Sequence, residues 1–300
     1  MTRAPRVLVS GACLGQPAGG VRRHNAELLP RLESLLRQAG GGLAVVEGRT
    51  PVGWDLPPQV VRVPSDVPYQ PALMRALKEG RALRRVLCVS DAVRARIVEE
   101  FPSAASRLDL IGNGEDHLSL LPRTPSTSPF MLHVGHVEPR KNLALIIEAM
   151  SRYPALPRLV LAGASKGDAA ARLLAVAEHR GLAGKIEMLG PVADEELARL
   201  YSTAACAVFP SVLEGFGIGP AEALRAGCPV AASAIPAHLE VSGDGATFFS
   251  PADPDDFARA VMECVAVSAI SRPPGNEHRW EDCAGRWFEA LMRASLDAHG

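Results

Sequence analysis

The stretch "FPSVLEGFGIGPAEAL" (Phe209–Leu224) separates two glutamates, Glu214 and Glu222, by seven residues that include three glycines and a proline. It emerges from an apolar run, "ACAVFPSV", that reads as a buried strand of a parallel sheet. In open α/β sheets, ligands bind in the crevice outside the carboxyl ends of the strands, and this loop stands at such an end. Pro220 suits the first turn of the following helix, where its missing N–H costs nothing. Bare glycines let the backbone approach a ligand closely, and the N–H groups at a helix start favour an anion such as a diphosphate. With Glu214 in the loop and Glu222 in the first helical turn, both acids can face one cavity and accept from hydroxyl-rich groups on either side of a phosphate. The same residues also describe an ordinary helix start with Glu222 favoured by the dipole. The stretch alone leaves these two readings open.

A second element bears on the choice. "HVGHVEPRKN" (His133–Asn142) places Gly135 at a strand end and Arg140–Lys141 at the mouth of the next helix. Cations there oppose the positive end of the helix dipole, so an anion held between them explains their presence. Both elements belong to the same sheet edge.

Working outward, short β-branched runs alternate with helical patterns, as βαβ units require. "RVLVSG", "LAVVEG", "VVRVPS", "RRVLCVS" and "LDLIGNG" are strand candidates, with helices expected at Val21–Gln38, Ala72–Leu83 and Asp91–Glu100. Leu121–Pro129, rich in Pro, Ser and Thr, reads as a linker. Beyond it, "FMLHVGHV", "RLVLAGA", "KIEMLGPV", "ACAVFPSV" and "PVAASAI" are strands. They alternate with helices at Asn142–Tyr153, Asp168–His179, Asp194–Ser202, Pro220–Ala226 and Pro254–Val267, and Trp280–Ala294 closes the series.

Three hundred residues suggest two domains, and 47% hydrophobic content excludes a disordered chain. A net charge of −1 gives no global field for nucleic acid or membrane. The six cysteines form no CxxC pair and none has zinc-ligand spacing, which fits buried thiols in a reducing cytoplasm. No apolar stretch is long enough to span a bilayer. The basic segment "ALMRALKEGRALRRV" reads as a solvated helix face, and leaves room for peripheral contact with an anionic membrane at the inner face of the plasma membrane. The G-x-G-x-x-G fingerprint is missing from "SGACLGQPAGG", which argues against a dinucleotide cofactor.

Together, "VGHVEPRKNLALIIEAM", "LVLAGAS", "IEMLGPVADEELARLY", the run from Val208 to Val261 and "RWEDCA" resemble the nucleotide-sugar domain of the family 4 glycosyltransferases, retaining enzymes of GT-B fold. The likeness runs in register from about Ser90 to Trp287 and includes an E-x7-E pattern; "GGVRRHNAELLPRL" resembles the first loop and helix of the acceptor domain. The resemblance implies an α/β fold of two Rossmann-like domains facing across a cleft. The acceptor-side domain would span 1–120, the linker 121–129 and the nucleotide-sugar domain 130–280, with a C-terminal helix, 281–300, crossing back to the first domain. By position, Glu222 would accept from the nucleotide ribose, while Glu214 and the backbone of Gly215, Phe216, Gly217 and Ile218 would hold the donor sugar. Lys141 and Arg140 would neutralise the diphosphate, Gly20 would approach it from the other domain, Val192 would line the base pocket and Gly163 would allow close approach nearby. The chemistry implied is metal-independent hexosyl transfer with retention, from a UDP- or GDP-sugar to a saccharide or lipid-linked acceptor, with mannose suggested by "EPRKN" relatives in polysaccharide assembly. No cofactor is implied.

The chain departs from the family in two ways. The position after the glycine of "VG", usually Arg, is His136, which could touch phosphate. The interval "VPSDVPYQPALMRALKEGRALRRVLCVS" is shorter than the family's and lacks its strand–His signature, so the N-terminal domain reads as reduced. A nucleotide-sugar-binding protein without transferase activity, completed by a partner subunit or a second copy, is therefore the alternative, and a related GT-B epimerase or phosphorylase a further one. His24, His133, His238 and Glu240 read as packing or surface residues, with His238 and Glu240 in a loop near the cleft.

Overall fold

The computed structural model of the chain describes residues 6–10, 20–47, 61–64, 85–267 and 278–296. They form two compact units, one from the described residues of 1–16, 20–114 and 278–300, the other from Glu115–Glu277.

The second unit is built on six parallel strands: β6 (Phe130–Val134), β7 (Arg158–Ala162), β8 (Ile186–Gly190), β9 (Cys206–Phe209), β10 (Val230–Ser233) and β11 (Thr247–Phe249). They lie in the order β11-β10-β9-β6-β7-β8. This is the doubly wound order, in which the chain moves outward from β6 in one direction and from β9 in the other. Successive strand residues alternate between the sheet's two faces. Met131, Leu159, Leu161, Cys206, Val208 and Ala231 face one apolar layer, and Phe130, Leu132, Val160, Ala162, Ala207, Phe209 and Ala232 face the opposite one. Both faces are covered because every parallel crossover lays a helix on the sheet.

Helices α3 (Leu143–Arg152) and α8 (Pro254–Val265) pack on the first face. On the second face lie α5 (Asp194–Thr203) and α6 (Ile218–Arg225). α4 is Ala169–His179. α8 starts where Asp253 accepts from the N–H groups of Asp255 and Asp256 at 2.9 and 3.2 Å, with Pro254 at its head. That cap is worth about 1 kcal/mol. α7 (Pro236–Ser242), which carries His238 and Glu240, replaces the loop expected there. Pro236 at its first position starts a single short helix that the apolar spacing did not announce.

In the first unit, β1 (Arg6–Ser10), β2 (Gly42–Glu47) and β3 (Val61–Pro64) make a parallel sheet, with Arg6 opposite Gly42 and Ala44 opposite Val61. β4 (Val86–Cys88) pairs with β5 (Leu108–Leu110). α1 (Gly20–Gln38) buries Leu28, Leu29, Leu32 and Leu36 completely, the spacing of an amphipathic helix. α2 is Asp91–Glu100, capped by the Ser90 hydroxyl. α9 (Trp280–Leu296) belongs to this unit and packs Trp280, Cys283 and Ala284 against Leu28. Arg286 holds it to the chain just after β5 through the Ile111 carbonyl at 2.7 Å, and Arg293 holds it to β5 itself through Asp109 at 3.0 Å. The expected helix Ala72–Leu83 and residues 65–84 of the shortened interval lie outside the described residues.

Candidate functional site

The doubly wound order makes β6 and β9 neighbours whose following loops diverge, and the crevice at their carboxyl ends is the place where a ligand fits such a sheet. Those two loops carry the residues singled out in the sequence. After β6, the chain turns at Gly135 into a 3₁₀ turn, Pro139–Lys141, that presents Arg140 and Lys141 ahead of α3. After β9, it runs through Pro210–Gly217 into α6.

Asn142 joins the two loops. It is the one non-glycine residue with positive φ (54°) among the described residues, a conformation Asn tolerates better than most. Its amide donates to the carbonyls of Pro210 and Pro251 at 3.2 and 2.9 Å, and Val212 N–H donates to the Arg140 carbonyl at 2.9 Å. These bonds set the height of Lys141 over the sheet.

The two cations converge on Glu214. Lys141 Nζ donates to its Oε1 at 2.5 Å, Arg140 Nη1 to its Oε2 at 2.6 Å and Ser211 Oγ to Oε1 at 2.7 Å. Arg140 also pairs with Glu138 at 2.7 Å, and Glu138 in turn binds Lys166. Burial works to raise the Glu214 carboxyl, but the Lys141 ammonium, with Arg140 and Ser211 behind it, outweighs burial and holds it at about 2. The anion that the sequence reading placed between the cations is, in this structure, the protein's own carboxylate.

Glu222 has a different environment. α6 begins at Ile218, so Glu222 falls in the second turn rather than the first, and its side chain runs towards α5. There Tyr201 Oη donates to its Oε2 at 3.0 Å, with the Gly219 carbonyl 3.3 Å from the same hydroxyl. His117 Nε2 lies 2.9 Å from Oε1. Glu214 is thus held by Lys141, Arg140 and Ser211, and Glu222 by Tyr201 and His117. The two acids keep different partners on either side of Gly215–Gly219. The segment between them contributes the buried Phe216 and Gly217, which heads α6 at φ 99°. Pro220 has no N–H, and the amides of Ile218 and Gly219 lie in the first turn, where no intrahelical acceptor exists.

The remaining expected residues fall elsewhere. Gly163 (φ 149°) ends β7, and a Cβ there would stand 2.1 Å from the Gly135 carbonyl oxygen. Its bareness thus serves the packing of two strand-end turns against each other. Val192, after β8, packs partly buried against the layer of α5 and α6. Gly20 opens α1 in the first unit. His136 follows Gly135; burial, and then the Lys166, Lys141 and Arg140 charges, outweigh Glu138 and lower its basicity.

Sequence reading passed over Ser211, Glu138, Asn142, His117 and Tyr201. The motif "EPRKN" held a signal for Glu138 and Asn142. None pointed to His117, which lies 105 positions before Glu222. His133 is a strand side chain, as expected, fully buried with Nδ1 donating to the Val208 carbonyl at 2.9 Å. Burial, then Lys141, hold its imidazole at about 4. Its Nε2 and Lys141 Nζ both lie 3.4 Å from the point a Cβ on Gly135 would occupy. Among the described residues, no group of three or more His, Cys, Asp or Glu side chains is placed to hold a metal, and no helix is long and apolar enough to cross a membrane.

Comparison with known proteins bears on family and fold. The chain is 33% identical over 193 residues to the serotype-specific mannosyltransferase WbdA of Escherichia coli, an alignment covering 63% of this chain and 22% of that protein. It is 28% identical over 230 residues to the O-antigen chain mannosyltransferase B of Escherichia coli, covering 68% of this chain and 59% of that one. The chain therefore spans less than two thirds of either relative. A glycosyltransferase from Rickettsia africae superposes with a TM-score of 0.67 at 15% identity, over 97% of this chain and 92% of that one, which places the fold among GT-B glycosyltransferases. Residues 122–272, the segment that contains both loops and the sheet beneath them, match the family described as glycosyl transferases group 1, and the chain belongs to that family.

Proposed function

We propose that the chain transfers a hexose, with retention and without a metal, from a nucleoside diphosphate sugar to a saccharide or lipid-linked acceptor in polysaccharide assembly. Mannose is the sugar its mannosyltransferase relatives favour. The observation that carries this reading is the convergence of Lys141 and Arg140 on Glu214 at the switch point, beside the amides that open α6.

Transfer breaks the bond between the anomeric carbon and the diphosphate, and negative charge grows on the leaving phosphoryl oxygens. Preorganised cations and N–H groups aimed at that charge lower the barrier without reorganising during the step. Lys141 has three N–H donors, of which Glu214 takes one. The others are available to a phosphoryl oxygen while Glu214 keeps the ammonium in place and accepts from a sugar hydroxyl. Arg140, partly exposed, adds a second positive charge at the rim. Glu222, steadied by Tyr201 and His117, would accept from the ribose. Val192 would lie near the base.

The test is release of free nucleoside diphosphate. Each of UDP-glucose and GDP-mannose is incubated with the protein and a panel of saccharide and polyprenyl-linked acceptors, and a thermal-shift screen with the same nucleotides runs in parallel. Acceptor-dependent release, lost in Glu222→Ala, supports transfer. A melting shift without release would favour a protein that only binds the donor. Sugar conversion without an acceptor would favour an epimerase, and no shift with any nucleotide would remove the donor-site reading.

A further inference from the structure

Behind the Glu214 loop, two serines and a histidine form a hydrogen-bonded chain. Ser211 Oγ donates to Glu214 Oε1 at 2.7 Å, and Ser233 Oγ donates to the Ser211 carbonyl at 2.6 Å. His238 Nδ1 lies 3.1 Å from both the Ser233 carbonyl and Ser233 Oγ. A carbonyl only accepts, and the Ser233 hydroxyl proton is already given to Ser211. The hydrogen therefore sits on Nδ1 of His238, and in the neutral ring Nε2 carries a lone pair and can only accept.

The position of this ring gives that lone pair a purpose. His238 is 1% exposed and lies on α7, edge-on to Phe209 at 6.5 Å between centroids. Its Cδ2, the atom bonded to Nε2, is 3.3 Å from the point a Cβ on Gly217 would occupy. The ring carbon next to Nε2 thus borders the glycine that heads α6, in the segment between the two glutamates. Burial, against the opposing pull of Glu214 and the Ser233 bond and aided by Lys141, holds the imidazole at about 4, so it is uncharged at neutral pH.

An acceptor in this place selects its partner by chemistry. Phosphoryl oxygens at neutral pH accept and do not donate, so they pair with Lys141, Arg140 and the amides. A sugar hydroxyl donates. We propose that His238 is a sugar-reading residue of the donor site: Nε2 accepts from a hydroxyl of the sugar held at Glu214, while Nδ1–H, locked to Ser233, fixes the ring through the same chain that fixes Glu214. The inference rests on the donor-site reading above and adds to it a second, neutral acceptor for the sugar.

Calorimetric titration separates the two. Wild-type protein and variants are titrated with GDP and GDP-mannose, and with UDP and UDP-glucose. His238→Asn keeps a donor for Ser233 and removes the far-edge acceptor, and His238→Phe keeps the ring and removes both. For each, affinity for the sugar nucleotide is expected to fall about tenfold while affinity for the parent diphosphate stays within about twofold, the effect of one lost neutral hydrogen bond. His238→Gln, whose side-chain carbonyl can reach the Nε2 position, is expected to recover the sugar nucleotide to within about threefold. An equal loss for diphosphate and sugar nucleotide, or no loss for either, overturns the role of His238 and leaves the donor site standing. Failure of the wild-type protein to bind any of the four nucleotides overturns the donor site and this inference with it.

Discussion

Lys141, Glu214 and Glu222 behave differently because their partners differ. Lys141 is largely buried and forms its ion pair with Glu214 at 2.5 Å, so removing it unbalances a carboxylate and takes away the charge meant for a phosphate. Lys141→Ala should weaken nucleoside diphosphate binding by about 10- to 100-fold in calorimetry, the range for a lost charge-assisted hydrogen bond. Because the charge matters there more than the shape, the loss should shrink as salt is raised. Glu222 depends on a hydroxyl. Tyr201 is fully buried and donates to Glu222, so Tyr201→Phe leaves a buried carboxylate with one donor fewer. A destabilisation of about 2 kcal/mol in urea unfolding is expected, together with a loss of donor affinity that Ser211→Ala, on the other acid, should not reproduce in stability.

At the level of elements, the site is made by turns that end strands. Gly135 and Gly163 close β6 and β7 against each other, and the 2.1 Å separation that a Cβ on Gly163 would meet is with backbone, which has no rotamer to give way. Gly163→Ala, also strained at φ 149°, should cost about 3 kcal/mol or more and displace the Gly135 turn on which Lys141 rests. Equilibrium unfolding and a drop in nucleotide affinity check both parts. α3, α5, α6 and α8 were legible to within a few residues, because apolar spacing, Pro220, Pro254 and the acidic start of α5 are local signals. α7 was not. Seven residues with a proline at the start carry too little periodicity to stand out from a loop, and what makes the helix useful, His238 against Gly217, is a tertiary contact.

For the whole molecule, buried titratable groups tie stability to pH. His133 and His238 are held at about 4 against 6.5 for a free imidazole. Between those values the folded chain binds fewer protons than the unfolded one. Their contribution is full above about pH 6.5 and is lost as pH falls through about 4, on the order of 3 kcal/mol for each. Glu214, held at about 2 against 4.5, follows with a loss that sets in below its unfolded value. Melting temperature should therefore decline from pH 6.5 to 4, and His133→Phe should flatten that decline if the variant stays folded; an unchanged slope would contradict it. The alternating layers of β6 to β10, the two cations, the glycine loop and the E-x7-E spacing were all written in residues near one another, because strand period, helix spacing and turn chemistry depend on close neighbours along the chain. Partnership was another matter. Lys141 meets Glu214 across 73 positions and His117 meets Glu222 across 105, and such pairs exist only once β9 settles beside β6 and not at a sheet edge. Strand order leaves no trace in periodicity, since every buried parallel strand presents the same apolar faces wherever it lies. For that reason the folded sheet, and not the motif, decided that one acid grips the cations while the other is buried with a tyrosine.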